Sequence, residues 1–331
     1  MSQQAFNALV VTEVAPKEFS RAIQQRSVDD LPAGEVLVRV HYSSLNFKDA
    51  LSATGNPGVS RNFPHTPGID AVGVVEQSDN AEFSVGERVI VTSYDLGMNT
   101  AGGLGQYIRV PAKWVVRLPK NLSMQESMSY GTAGLTAAMM VNALVEQGVD
   151  VDDGEVLVTG ATGGVGSVAV AILSKLGFTV CAVTGKPEQA QYLKSLGADS
   201  IISREELTEN KRPMLKERWA GVVDVVGGEI LASAIKATKY TGTVTCSGMV
   251  GDINFTSSIF PFILRGVKLI GIDSVECDMA TRLNVWNKMA DSFKPKGLAA
   301  LTTEITLEQV EAQLMAMLAG KSHGRFIVDM Q

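Results

Sequence analysis

Between residues 156 and 274 the chain alternates two textures. The runs VLVTG, TVCAVTG, SIIS, GVVDVVG, GTVTCSG and VKLIGIDS are short and almost continuously apolar. The intervening GVGSVAVAILSKLG, EQAQYLKSLGA and ILASAIKAT are helix-like. A strand that is apolar on both sides must be covered on both sides, and parallel neighbours need a crossover long enough to hold a helix. The pattern predicts an α/β fold with a doubly wound parallel sheet.

The stretch before Ser123 differs. EVLVRVHYSSL, AVGVVEQS, GERVIVTSYD and GQYIRVP are Val-rich, partly alternating runs bounded by Gly, Pro, Asn and Asp, as in a small barrel or sandwich. At Ser123 the texture turns helical, with Ser123 and Glu126 spaced as a capping box. The tail, TLEQVEAQLMAMLAGKSHGRFIVDM, predicts an amphipathic helix and a last strand that returns to the N-terminal part. A length of 331 residues suits two domains, and 45% apolar with 19% charged residues supplies real cores. The net charge of -6 gives no basic footprint for nucleic acid or an anionic membrane. No apolar run reaches the ~18 residues of a spanning helix, and MSQQAFNALVV lacks a signal-peptide pattern. Cys181, Cys246 and Cys277 are too scattered for a disulfide framework or a metal clip. A cytoplasmic protein in a reducing compartment is expected.

VLVTGATGGVGSVAV carries the strongest local signal. Gly160, Gly163 and Gly166 recur every third residue, with Gly164 beside them, after a buried strand and at the mouth of a helix. A strict G-x-G-x-x-G fails, because Thr162 stands where its second glycine belongs. The context still suits a dinucleotide: side-chain-free residues let a pyrophosphate approach free N–H groups at the helix N-terminus. Thr162, Gly163, Gly164 and Val165 form this cradle. An NAD site ordinarily ends its second strand in an acid for the ribose 2′-hydroxyl. Here TVCAV ends in Thr184, Gly185 and Lys186, and Arg204 follows SIIS. A hydroxyl, a glycine and two cations without an acid predict NADP(H).

SSLNFKDAL, FPHTPGIDAVGVV, ATGGVGSVAV, SLGA and PFILRGVKLIGIDSV resemble, from end to end, the zinc-free quinone-oxidoreductase-like branch of the medium-chain dehydrogenase/reductase superfamily. Within it they are most similar to NADPH-dependent acrylyl-CoA reductases. The resemblance implies a GroES-like catalytic domain over 1–123 and 295–331 enclosing a Rossmann NADP-binding domain over 124–294. It also implies cofactor contacts at Phe47, Met249, Ile263, Ser274 and Arg325. Zinc relatives place a cysteine in C-x-x-D and a histidine in P-G-H-E. This chain has Asn46 and Ile69 at those places, so two good ligands are missing and no metal is expected. His65 is taken as a loop residue.

Without zinc to stabilise an alkoxide, alcohol oxidation loses its main device, whereas hydride addition to a conjugated carbonyl remains accessible. The residues support an NADP-dependent reductase of a conjugated carbonyl; the resemblance names the substrate, acrylyl-CoA reduced to propionyl-CoA. Asn46, Lys48 and Asp49 are the candidate catalytic residues. Asn46 is expected to donate a hydrogen bond, and Lys48 to orient substrate or a phosphate. Asp49 and Asp70 have a second reading, as ties between their two loops through backbone N–H groups, and this is favoured for Asp70. Phe47 replaces a tyrosine common in relatives, so the proton donor to Cα stays open, with bound water a candidate. Two other classes remain: a general quinone or enone reductase, and a non-catalytic NADPH-binding protein. The apolar edge strand VKLIGID predicts a homodimer.

Overall fold

The computed structural model describes residues 4–209 and 211–331. They form two compact units: Met1–Thr132 with Val275–Leu283 and Leu298–Gln331, and Ala133–Ser274 with Asn284–Gly297.

The second unit holds the alternating half of the sequence. Its six strands are parallel, and across the sheet the order is Ser200–Ser203, Val180–Thr184, Val156–Val158, Trp219–Asp224, Thr238–Cys246, Lys268–Gly271. The chain starts in the middle, works outward to one edge, then crosses back and works outward to the other, which is doubly wound topology. Val156–Val158, Val180–Thr184 and Trp219–Asp224 are buried at every residue, so both faces of the sheet are covered. The edge strands Ser200–Ser203 and Lys268–Gly271 are partly exposed. Leu157, Val183, Val222, Val244, Leu231 and Ile235 pack into one core cluster.

The first unit is β-rich. One sheet runs Thr302–Thr306, Arg325–Asp329, Val36–Ser44, Asp70–Ser78, Arg88–Thr92, Val115–Arg117, with Tyr107–Val110 also paired to Val36–Ser44. The hairpin Ala5–Ala15/Glu18–Ser27 is a separate two-stranded sheet. The tail does return: Ile327 pairs with Ser44, Val328 with Ser43 and Asp329 with Tyr42. Leu45 N also donates to Phe326 O, so the tail strand lies directly against the chain entering Asn46.

The helix expected from Ser123 forms over Met124–Glu146, and its capping box is present, with Ser123 N on Glu126 Oε2 and Glu126 N on Ser123 Oγ. It is not continuous. Gly131 breaks it at φ 53° and ψ −155°. The first unit therefore runs on to Thr132, past the expected seam at 123, because Thr132 is bonded to Asp70. Val275–Leu283 belongs there too, because Arg282 donates to Thr92.

Candidate functional site

The first unit gathers its chemistry around one buried acid. Asp70 opens the strand Asp70–Ser78 and is fully buried. Its Oδ2 accepts from Ser44 Oγ at 2.6 Å and from Asn46 Nδ2 at 2.7 Å. Thr132 N lies 2.9 Å from both carboxylate oxygens, and Thr132 Oγ1 donates to Oδ1 at 2.6 Å. The approach is close enough to require glycine next door. A Cβ on Gly131 would come within 2.3 Å of Asp70 Oδ2 and Ser44 Oγ and 2.8 Å of Arg325 Nη2. A buried carboxylate is tolerable only when its oxygens are satisfied this fully.

Asn46 ends the strand's exit loop and caps the short helix Phe47–Ala53. Its Nδ2 hydrogens go to Asp70 and to Ser44 O at 3.2 Å, and Arg325 Nη1 reaches its Oδ1 at 3.3 Å. The amide expected to donate to a substrate is thus already committed on both hydrogens, and the structure makes Asn46 a tie between loops. Asp49 is the other tie, as its second reading held. Its Oδ2 accepts from Asn46 N at 2.7 Å and its Oδ1 from Ile69 N at 2.9 Å. Complete burial, with Asp70 adding to it, pushes the Asp49 carboxyl up to about 7, although both backbone N–H groups pull the other way. Lys48 is half-buried and has no hydrogen-bond or ion-pair partner among the described residues. Phe47, at 43% exposure, presents its ring to the surface. Arg325 is buried, donating to Ser129 O, Leu45 O and Ser44 Oγ and lying 3.8 Å from Asp70 Oδ2. His65 is the loop residue expected: its Nε2 meets Gly97 O at 2.9 Å, and burial holds its pKa down. No three His, Cys, Asp or Glu side chains converge as metal ligands among the described residues.

The second unit holds the glycine cradle. Gly160 turns out of the strand at φ 57°, and Gly163 N donates back to Gly160 O at 2.9 Å. A Cβ on Gly166 would lie 2.4 Å from Gly160 O, so this glycine lets the helix pack on the turn. The helix Gly164–Lys175 starts at Gly163 with no side-chain cap. Its first N–H groups are left for a ligand, which fits a pyrophosphate. At the end of the next strand Thr184 is buried, and its Oγ1 accepts from Lys186 N at 2.9 Å. A Cβ on Gly185 would lie 2.9 Å from Arg204 Nε, so the guanidinium rests on bare backbone there. Lys186 is depressed by burial and by Arg204, which marks the two cations as neighbours. Such a pair suits a dianionic phosphate. Ser274 is buried on Thr136, 2.6 Å between hydroxyls, whereas Met249 and Ile263 are 69% and 65% exposed.

One group of the second unit escaped sequence reading. Asp224, at the end of the central strand Trp219–Asp224, is buried and accepts from Thr159 Oγ1 at 2.7 Å and Gly227 N at 2.8 Å. It fixes the strand end beside the cradle, and burial raises its pKa. The available signal was a lone acid inside the apolar run VVDVV.

The alcohol dehydrogenase GroES-like domain family matches residues 32–120, and the zinc-binding dehydrogenase family matches residues 164–292. Acrylyl-CoA reductase AcuI of Ruegeria pomeroyi is 44% identical over 326 residues, covering 98% of this chain and 99% of its own. YhfP of Bacillus subtilis, whose name provisionally makes it a quinone oxidoreductase, is 45% identical over 304 residues, 91% of this chain and 92% of its own. Its crystal structure with NAD bound covers 98% of this chain and 99% of its own at a TM-score of 0.96 and 44% identity. The YhdH oxidoreductase of Salmonella enterica in complex with NADP has a TM-score of 0.95 at 42% identity, covering 98% of this chain and 100% of its own.

Proposed function

Because the chain belongs to the medium-chain dehydrogenase/reductase superfamily of oxidoreductases, we propose that it reduces acrylyl-CoA to propionyl-CoA with NADPH and without a metal. The substrate rests on one observation, the end-to-end 44% identity with acrylyl-CoA reductase AcuI. The absence of a metal step rests on Asn46 and Ile69 at the two ligand positions.

NADPH supplies a hydride when bound. The chain's part is to hold and orient. Gly163, Gly164, Val165 and the open helix end would take the pyrophosphate, and Lys186 and Arg204 the 2′-phosphate. The relatives differ in the dinucleotide their crystal structures carry, NADP in YhdH and NAD in YhfP. The cation pair over Gly185 therefore carries the assignment here. Lys48, with its ammonium uncommitted, would face the charge that develops on the thioester oxygen as hydride reaches Cβ. Asn46, Asp49 and Asp70 keep the Lys48 loop in place.

A second reading, reduction of quinones or other enones, is favoured by the name of YhfP. NADPH oxidation assayed with acrylyl-CoA, with a simple quinone and with no acceptor separates the two. Acrylyl-CoA turnover well above the quinone rate supports the first reading; the reverse order replaces it.

The proposal extends to assembly and location. Lys268–Gly271 is an edge strand with partly exposed Leu269 and Ile270, which supports a two-fold dimer joined edge to edge. A monomeric mass at micromolar concentration contradicts it. The three free thiols support a reducing, cytoplasmic setting.

A further inference from the structure

Ser93 and Tyr94 leave the strand Arg88–Thr92 with left-handed backbone, φ 66° and 50°. Glycine adopts that conformation without strain, and serine and tyrosine do not. The surroundings enforce it. Ser93 N donates to Ile69 O at 2.8 Å. The Tyr94 ring stacks on Trp114, centroids 5.5 Å apart and 5° from parallel, and Arg282 Cζ lies 4.3 Å from its centroid.

The clamp fixes the Ser93 hydroxyl, which is buried and 2.9 Å from Thr132 Oγ1. The direction of that bond follows from its neighbours. Asp70 takes donors from Ser44, Asn46 and Thr132, and as a carboxylate it only accepts. The single hydroxyl hydrogen of Thr132 therefore points to Asp70 Oδ1, 2.6 Å away. Ser93 must then donate its own hydrogen to Thr132. The chain Ser93–Thr132–Asp70 ends in an oxygen that presents lone pairs and no hydrogen. Strain held at a candidate site in order to keep a hydroxyl points to a task for that oxygen.

We propose that Ser93 is a further positioning residue for the reduction put forward above, on which this inference rests: its oxygen accepts a hydrogen bond from the water that protonates Cα. Hydride brings its electron pair to Cβ, and the C=C pair moves into the enolate. As the enolate collapses, Cα takes one proton from this water. The hydroxide left behind is neutralised by a solvent proton, so the sum is one hydride and one proton per double bond. Ser93 holds one hydrogen of the water and thereby aims the other.

Ser93→Gly tests this cleanly, because glycine suits the left-handed backbone and removes only the hydroxyl. Wild type and variant are compared for turnover of acrylyl-CoA in D2O, facial placement of deuterium at Cα, NADPH binding by fluorescence, and melting temperature. The wild type is expected to label one face of Cα. Ser93→Gly is expected to lose ~10-fold or more in kcat and to label both faces, with cofactor binding and melting temperature little changed. Thr132→Val, which keeps the Ser93 oxygen but releases its hydrogen, should relax facial selectivity as well. Unchanged kcat and one-face labelling in Ser93→Gly overturn the inference alone. Loss of NADPH binding together with kcat overturns it in favour of a structural role. A wild type inert toward acrylyl-CoA overturns the parent reading and this one with it.

Discussion

Asn46 Nδ2 lies 2.7 Å from Asp70 Oδ2, so the place of a thiolate ligand in zinc relatives holds a neutral donor locked onto a buried acid. Exchange of that donor for a second charge is the sharpest perturbation available. Asn46→Asp would set a carboxylate against Asp70 and beside Asp49 with no cation added. We expect a loss on the order of 3–5 kcal/mol at neutral pH, with partial recovery on acidification. Asn46→Ala, which only leaves a buried acceptor short, should cost about 1–3 kcal/mol. Urea unfolding of the three proteins at two pH values checks the order.

Gly131→Ala should fail for a steric reason. The new Cβ would meet Asp70 Oδ2 and Ser44 Oγ at 2.3 Å in a backbone of φ 53°. Backbone strain alone costs roughly 1–3 kcal/mol, and separating Thr132 from Asp70 adds to it. Thermal unfolding should show a clear drop, whereas Gly148→Ala, where no atom lies within 4 Å of the Cβ, should show the smaller cost of a left-handed alanine.

Asp49 gives stability a definite pH slope. Its folded pKa is raised from 3.8 to about 7 by burial and by Asp70. The folded state therefore binds a proton more tightly than the unfolded chain. Its contribution is fully present below the unfolded pKa and is lost as pH rises through the folded value. Wild-type stability should fall between about pH 4 and pH 7 more steeply than that of Asp49→Asn, which has nothing to titrate there. Parallel slopes for the two proteins would contradict this.

Lys186→Ala and Arg204→Ala should each raise the KM for NADPH and leave NADH use nearly unchanged. A charged contact to phosphate is worth about 1.5–3 kcal/mol, which is roughly 10- to 150-fold in KM. Equal use of NADH and NADPH by the unmodified protein contradicts the phosphate assignment.

The legible parts of this molecule are those written in consecutive residues. Val180–Thr184 announces a doubly covered strand because every residue is apolar or small, and Gly160–Gly166 announces a turn into a helix because its spacing is local. The Asp70 cluster was only half legible. Its role as a tie followed from the PGID loop, but its partners Ser44, Thr132 and Arg325 come from separate elements that meet only through the tail strand and the break at Gly131. Asn46 misled because an amide at a vacated ligand position suggests a free donor, while packing had already used both hydrogens. Ser93 left no sequence trace at all, since a positive φ on serine is imposed by its surroundings.

The central claim is conjugate reduction, and the position of the transferred hydride tests it most directly. Acrylyl-CoA should be reduced with NADPH carrying deuterium at its transferable position, with a strong chelator present, and the propionyl-CoA analysed by NMR. The account predicts turnover undiminished by the chelator, deuterium at Cβ and a solvent-derived hydrogen at Cα. Deuterium at Cα, or activity lost to the chelator and restored by zinc, would contradict it.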